Sequence, residues 1–518
     1  MSRPPDKFAV GVALLCSATG VLMQALDSTI VLVAMPHIQG SLSASHDQIT
    51  WILTSYIVVS AIMTAPVGWL ANRFGTKIVY GVALLGFTAV SGLCGMALTL
   101  DQMVVFRALQ GAFGAALTPL SLAILLALFP AEKRSLPIAI WSMAAMVGPI
   151  AGPTLGGILT EYYDWRWCFY VNLPIGMLAA AGLWFFFREE KPVKTAGFDG
   201  LGFGVLAVAV GAFQLMLDRG IDRDWFSANE IVVEAVLAGL GAYLFLFHMV
   251  TAKAPFVPRA LFRDRNFVIS LGLMYAVNGI LFASISMMPT FLQSVSGRPV
   301  LDAGLLLAPR GFGVMAGMLL IGKIASFVDP RAIMSAGAAV LAWSLWEMAH
   351  WPSFVGGDVF LFVTVVQGFA MGLLFAPLMV IAFVTLEKKL QNDGTAFISL
   401  IRNLGSAAGI SAASVVLANG MQTIRDQAVG LVTPFNQALS INAISKLANF
   451  HLPSGAASLN GLLVQHVAPL AYGNVYIFLF YLTLALLPPI WLYKRPAYST
   501  IGRRPRSAAA REAADAAE

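Results

Sequence analysis

Apolar runs of about 20 residues recur along this chain, each long enough to cross the ~30 Å hydrocarbon core of a bilayer as a helix. About fourteen are counted, near 8–36, 49–71, 78–98, 103–128, 136–159, 168–187, 199–217, 231–250, 267–292, 301–323, 332–350, 359–383, 396–420 and 469–493. Every second connection between them is rich in lysine and arginine: Arg73 and Lys77, Lys133 and Arg134, Arg188 with Lys191 and Lys194, the stretch 253–265, Lys323 and Arg331, Lys388 and Lys389. The intervening loops at 37–48, 98–102 and 351–358 carry almost none. Basic loops stay in the cytoplasm, so both termini are expected there, and an even number of spans requires the same. The expected class is an all-α, multi-pass membrane protein.

Composition agrees with that class. Hydrophobic residues make up 58% of the 518, charged ones 11%, and the mean hydropathy is +0.79, outside the range of soluble domains. The net charge of +6 is spread over the connections and forms no patch, which argues against a nucleic-acid partner. Cys16, Cys94 and Cys168 fall inside or at the edges of spans and read as buried thiols, not as a disulfide framework or a thiolate metal site. The sequence holds no phosphate loop, no His/Cys/carboxylate cluster and no Ser/His/Asp constellation, so no enzyme, no cofactor and no metal is expected. The apolar run after Arg3 and Lys7 is too long for a signal-peptide core and reads as an uncleaved first helix. Residues 420–469 form the one long external segment, either an amphipathic helix resting on the bundle or a docking surface for a periplasmic partner. The tail at 496–518 has no apolar face and is expected to be disordered in the cytoplasm.

Shifting the chain by roughly 255 residues lays its second half over its first. Met35-Pro36 falls on Met288-Pro289, Gly68 and Ala71 on Gly322 and Ala325, Lys77 on Arg331, Gln110-Gly111 on Gln367-Gly368, and Gly148 and Gly152 on Gly405 and Gly409. Two six-helix bundles are therefore expected at 8–187 and 266–495, with two extra helices between them in 188–265. Related bundles that rock around a midplane site are the architecture of secondary transport. Charge breaks the symmetry: Asp27 falls opposite Ile280, and Arg107 opposite Thr364. Asp27 lies mid-run between Phe8 and Pro36, where an ionised carboxylate costs at least about 2.5 kcal/mol on insertion scales. Such a residue is kept to carry a proton, an ion or a cationic substrate, and the first half is where that chemistry is expected.

The loop after the second span reads Gly68-Trp-Leu-Ala-Asn72-Arg73-Phe-Gly75-Thr-Lys77 and resembles the G-x-L-A-D-R-x-G-x-K signature of the major facilitator superfamily. Glycines permit a tight turn there, while Arg73 and Lys77 can latch one bundle to the other or serve only to set topology. Asn72 stands where the family usually has Asp, which removes a carboxylate-to-helix-dipole latch but leaves a hydrogen-bonding amide. The fifth span carries Gly148, Gly152, Pro153, Gly156 and Gly157, a pattern similar to the antiporter signature of the same superfamily. Around Asp27 the sequence Leu26-Asp27-Ser28-Thr29-Ile30-Val31 through Pro36 is similar to the L-D-x-T-I-V-x-V-A-x-P motif of fourteen-helix drug:proton antiporters of the EmrB/QacA type. Trp165-Arg166-Trp167 through Gly176, Leu217-Asp218-Arg219-Gly220, Trp225-Phe226 and Pro309-Arg310-Gly311 extend the resemblance over residues 9–495 and lean toward the EmrB side.

The resemblance implies a major facilitator fold with two additional helices and proton-coupled export of apolar or amphipathic compounds across the inner membrane. Members on the EmrB side also imply a periplasmic adaptor and an outer-membrane channel as partners. It gives Asp27 and Arg107 the proton-coupling role, with a purely structural ion pair as the alternative. The loop and span-five glycines, with Asn72, Arg73, Lys77 and Pro153, become gating positions. Met23, Tyr56, Gln110, Phe282, Met287, Arg310 and Phe375 are the expected lining of a broad substrate cavity. Arg402 is explained by snorkelling or by function, while Glu234 and Glu347 are expected to be wetted. Export of one specific metabolite or fatty acid, and a non-transporting membrane sensor, remain open alternatives at this stage.

Overall fold

A computed structural model describes residues 7–129, 135–187, 197–324, 327–352, 355–431 and 453–494. The expected disordered tail beyond 494, residues 432–452 of the expected external docking segment, and Lys133, Arg134, Arg188, Lys191 and Lys194 lie outside the described residues.

Among the described residues the fold is all helical. In hydrocarbon each backbone N–H and C=O must be satisfied within its own segment, and long apolar runs of this kind settle into helices. In chain order the long helices are α1 (Lys7–Ser41), α2 (Trp51–Thr64 continuing as Val67–Phe74), α3 (Thr76–Gly95), α4 (Leu100–Gly114 and Leu117–Leu128), α5 (Ser135–Tyr162), α6 (Asn172–Phe186) and α7 (Gly200–Arg219). They continue with α8 (Asn229–Thr251), α9 (Arg265–Thr290), α10 (Val300–Leu307 and Arg310–Ile324), α11 (Pro330–Ala349), α12 (Gly357–Val384), α13 (Gln391–Leu431) and α14 (Pro453–Leu484). Among the described residues 12 helices are long and apolar enough to span, and α2 is a thirteenth, bent by 54° at Ala65-Pro66. The 28-residue α5 is also long enough to span, which is consistent with fourteen spans. Side-chain caps close several N-termini: Thr99 on α4, Asp199 on α7, Asp264 on α9 and Asp329 on α11. An acidic cap both satisfies an orphan N–H and complements the positive end of the helix dipole.

The repeat is visible in the packing. Helix α1 lies along α5, and α9 along α13, in equivalent pairings. A Cβ added at Gly148 would stand 2.5 Å from the Ala25 Cβ of α1, and one at Gly409 would stand 2.3 Å from the Gly279 Cα of α9. Small residues at these crossings let helices approach closely, which is how packing drives association without a hydrophobic effect. The second equivalent pair is α2 on α4 and α10 on α12. There a Cβ at Gly111 would meet the Tyr56 carbonyl at 2.4 Å, and one at Gly368 the Arg310 carbonyl at 2.2 Å. Tyr56 and Arg310 therefore occupy corresponding places in the two halves.

Helices α7 and α8 pack mainly on each other, with α7 touching α2 and α13. Arg219 ties one end of this hairpin by pairing with Glu230 at 2.7 Å and Glu234 at 3.2 Å. The Glu234 side chain is only 12% exposed, so the expectation of a wetted glutamate is corrected: the ion pair with Arg219 draws it inward. At the other end Asp199 accepts from the backbone of Gly202 and Phe256 and lies 2.9 Å from His248. Burial alone raises the Asp199 carboxyl, but these hydrogen bonds outweigh it and hold the group below its ordinary value. The outward faces of α8, with Val233, Val236, Leu240 and Phe247 exposed, are apolar, as a lipid-facing surface requires.

Candidate functional site

Helices α1, α4 and α6 bring polar side chains to one point inside the first bundle. Asp27, half-way along α1, is fully buried, and so is Arg107 on α4. Arg107 Nη1 donates to Asp27 Oδ2 at 2.6 Å and to Gln110 Oε1 at 2.7 Å. Gln110 Nε2 donates to Asp27 Oδ1 at 3.0 Å, and Asn172 Nδ2 donates to the same oxygen at 3.2 Å. Asn172 also reaches Ser91 Oγ of α3 at 3.1 Å, and Ser91 donates to the Phe169 carbonyl at 2.9 Å.

The spacing explains why the network forms. Arg107 and Gln110 are three residues apart and share one face of α4, so both can meet a carboxylate on the facing helix. Arg107 Nε donates to the Ile52 carbonyl at 3.3 Å, and its guanidinium lies 4.2 Å from the Tyr56 ring centroid. A cation over an aromatic face is stabilised by the ring quadrupole, most strongly when desolvated. The carboxylate accepts three hydrogen bonds, one of them charge-assisted, which offsets much of its desolvation. Breaking such a buried pair by removing one partner typically costs about 3–5 kcal/mol. The Arg107 Nη2 and the Tyr56 hydroxyl have no hydrogen-bond partner among the described residues.

Two members of this network, Asn172 and Ser91, were not singled out as site residues from the sequence. Asn172 opens α6 as a polar residue in an apolar run, a signal that was readable; Ser91 differs in no local way from any other serine in a span.

A second junction joins the bundles at the end assigned to the cytoplasm. Gly75 adopts φ +99°, a conformation glycine takes without a Cβ penalty, and the turn it makes releases α3 from α2. Gly68 lies against the start of α13, where an added Cβ would stand 2.7 Å from the Asp393 Cα. Asn72 Nδ2 donates to Asp393 Oδ2 at 3.0 Å, while Asn392 Nδ2 donates to Asn72 Oδ1 at 2.8 Å and to Thr76 Oγ1 at 3.4 Å. The carboxylate absent from position 72 thus stands across the junction at Asp393. Lys77 donates to the Trp184 carbonyl of α6 at 2.8 Å, within its own bundle, and Arg73 is exposed. Hydrogen bonds across this junction between bundles are made by Asn72, Thr76, Asn392 and Asp393. At the other end a Cβ on Gly304 of α10 would meet Thr154 Oγ1 of α5 at 3.2 Å.

The span-five glycines all sit in α5; Gly148, Gly152 and Gly156 face α1, while Gly157 has open space around it. The Pro153 side chain lies outside the described residues. The expected cavity residues come from both bundles. Met23 and Tyr56 pack in the first bundle's core, Met287 and Phe375 in the second's, and Phe282 lies at the edge of the latter. Gln110 belongs to the Asp27 network, and Arg310 is buried in the second bundle. No group of His, Cys, Asp and Glu among the described residues could hold a metal ion.

A repeat of related helical bundles with a buried acid in one half is an architecture found among membrane transporters. Residues 17–410 match the sequence profile of the Major Facilitator Superfamily, and the chain belongs to that family. It is 31% identical over 510 residues to the fatty acid resistance protein FarB of Neisseria gonorrhoeae, covering 96% of this chain and 99% of that one. It is also 31% identical over 447 residues to the multidrug export protein EmrB of Escherichia coli strain K12, covering 84% and 85%. Among solved structures, a bacterial homologue of the lysosomal transporter Spinster, inward-facing and unoccupied, superposes with a TM-score of 0.56 at 17% identity, covering 94% of this chain and 98% of that one. That likeness concerns the fold alone. The protein is a multi-pass membrane transporter of small molecules.

Proposed function

We propose that this transporter exports apolar or amphipathic compounds from the cytoplasm in exchange for protons, with both termini cytoplasmic and the inner membrane as its location. The observation that carries the reading is the fully buried Asp27–Arg107 pair, held by donors from α4 and α6. Names of similar proteins, multidrug export in one case and fatty acid resistance in the other, support the substrate class. A proton arriving on Asp27 cancels the charge that fixes Arg107, and the contact from α1 to α4 loosens. Because α1 also rides on the α5 glycines, the change reaches the face where α5 meets α10 of the second bundle. Rupture of the Asn72–Asp393 latch then opens the cytoplasmic side.

Gradients suffice to drive this cycle. Each pH unit contributes about 1.4 kcal/mol per proton, and each charge moved through 100 mV about 2.3 kcal/mol. One proton can sustain a substrate gradient of roughly a hundredfold or more. The test is drug-dependent proton flux in everted membrane vesicles. Asp27→Asn is expected to abolish it, and full flux in that variant would end the proposal.

A second reading is a narrower exporter of one fatty acid or metabolite, favoured by the FarB likeness along almost the whole chain. Comparing accumulation of a cationic dye with that of a fatty acid, each with and without a protonophore, separates the two. A periplasmic adaptor and an outer-membrane channel are the partners that the EmrB-like motifs suggest. Deleting 432–452 is expected to weaken adaptor capture while transport in vesicles persists; unchanged capture removes that segment from the interface.

A further inference from the structure

The second bundle buries a cation that nothing in the described structure neutralises. Arg310 is 2% exposed, makes no ion pair among the described residues, and leaves its Nη2 without a hydrogen-bond partner. Snorkelling does not account for it, because the residue is 2% exposed and its Nη2 is sealed from the surface. Arg310 lies eight residues into the span Asp302–Gly322, about 12 Å from its end by helical rise and close to the middle of a bilayer. It opens the second piece of α10 directly after Pro309, so the positive end of a 15-residue half-helix is added to the guanidinium charge.

The surroundings supply a second unfilled donor. Tyr476 of α14 interacts electrostatically with Arg310, is 1% exposed, and its hydroxyl also has no hydrogen-bond partner among the described residues. Tyr476 itself belongs to the apolar core that fills the second bundle. A desolvated, unpaired cation in a membrane is expensive, and such residues mark substrate pathways. The orphaned groups here are both hydrogen-bond donors, and the fixed charge is positive, so the missing group is an anionic acceptor. A carboxylate matches a guanidinium in a planar, bidentate fashion, and an apolar shell suits a hydrocarbon attached to it.

We propose that Arg310, with Tyr476 beside it, forms the binding subsite for the carboxylate of an amphipathic substrate. This deepens the exporter reading and rests on it, since it names the anionic part of that protein's substrate range. The two halves then divide the work: Asp27 answers to protons in the first bundle, and Arg310 holds the anion in the second. Arg402, half-buried within α13 and likewise without an ion pair among the described residues, adds a second positive charge to the same bundle.

The test uses the full-length protein in lipid nanodiscs and two probes of equal chain length, dodecanoate at a pH where it is ionised and dodecan-1-ol. Wild type is expected to bind dodecanoate at least tenfold more tightly than the alcohol. Arg310→Gln is expected to reduce that preference at least tenfold, with Arg310→Lys falling between. Without ligand, Arg310→Gln should melt at or above the wild-type temperature, because an uncompensated charge is removed; a merely structural arginine would lower it. An unchanged preference in Arg310→Gln, or no saturable dodecanoate binding by wild type, overturns the subsite. If Arg310→Gln does not fold, the Arg310→Lys preference decides: one equal to wild type overturns the subsite, an intermediate one upholds it. Failure of the exporter reading is detected separately, as loss of pH-driven efflux of a cationic dye from wild-type vesicles.

Discussion

The two bundles share a helical plan and differ in where they keep their charge. In the first, the acid on α1 and the base on α4 meet at 2.6 Å inside a closed set of hydrogen bonds. In the second, the corresponding α9 and α12 positions are Ile280 and Thr364, both fully buried, and Thr364 spends its hydroxyl on its own helix at the Phe360 carbonyl. The cation reappears on α10 at Arg310, in the place that Tyr56 occupies in the first half. Duplication therefore preserved the contacts between backbones, which depend on glycine, and let the polar interior diverge. A bundle with a neutralised pair can switch its charge by taking one proton; a bundle whose buried cations make no ion pair among the described residues is suited to an anion.

Removing the pair gives the largest expected effect. Asp27→Asn should eliminate coupled transport, at least a hundredfold, and lower stability by about 3–5 kcal/mol by leaving Arg107 buried and uncompensated. Adding Arg107→Gln should recover part of that stability but none of the coupling. Thermal unfolding of the single and double variants in detergent measures the coupling energy, and strict additivity would show that the two groups do not act as a pair.

The glycine contacts come next, and they separate the halves again. Gly409→Ala places a methyl 2.3 Å from the Gly279 backbone, which cannot swing aside. Gly152→Ala meets Thr29 Oγ1 first, at 2.0 Å, and a hydroxyl can rotate away. The first should cost about 1–3 kcal/mol and slow transport tenfold or more, the second less. Gly157→Ala, with nothing within 4 Å, serves as a control expected within about 0.5 kcal/mol of wild type. Equal damage at all three positions would contradict the close-approach account.

A smaller effect is expected at the latch. Asn72→Asp sets two carboxylates against each other across a 3.0 Å contact and should shift the population toward a cytoplasm-open state several-fold. Asn72→Asp combined with Asp393→Asn should reverse the shift, since one acid and one amide remain. Alkylation of a cysteine placed on the cytoplasmic half of α13 reads the change, and no reversal in the double variant would detach the two residues from each other.

The smallest effect lies in the α7–α8 hairpin. Asp199 has its pKa depressed in the fold, so its contribution is complete above the ordinary carboxylate pKa and is lost only as pH falls through the depressed value. Between pH 6 and 8 its titration should leave stability flat, and Asp199→Asn should cost about 1 kcal/mol or less. Melting curves at pH 7 and pH 4 check the sign: the wild-type advantage over the variant should shrink at the lower pH.

Much of this was legible in the chain before any coordinates. Long apolar runs in a medium without water have one backbone solution, so the sequence determined the spans, their even number and their doubling about 255 residues apart. It also exposed Asp27 and Arg107, because a charge in such a run is costly enough to stand out. Tertiary structure alone decided what those charges touch. Asn172 joined the network because α6 carries it to Asp27 across 145 residues of chain, and Ser91 joined because α3 carries it to Asn172 across 81. The latch partner Asp393 stands 321 residues from Asn72, a pairing no local pattern encodes. That Tyr56 and Arg310 are counterparts follows from two glycine crossings, and that Arg310 makes no ion pair among the described residues follows from how the helices pack, not from its neighbours in sequence. Local sequence sets the cost of placing a charge in the membrane; only the packed bundle determines whether another group meets it.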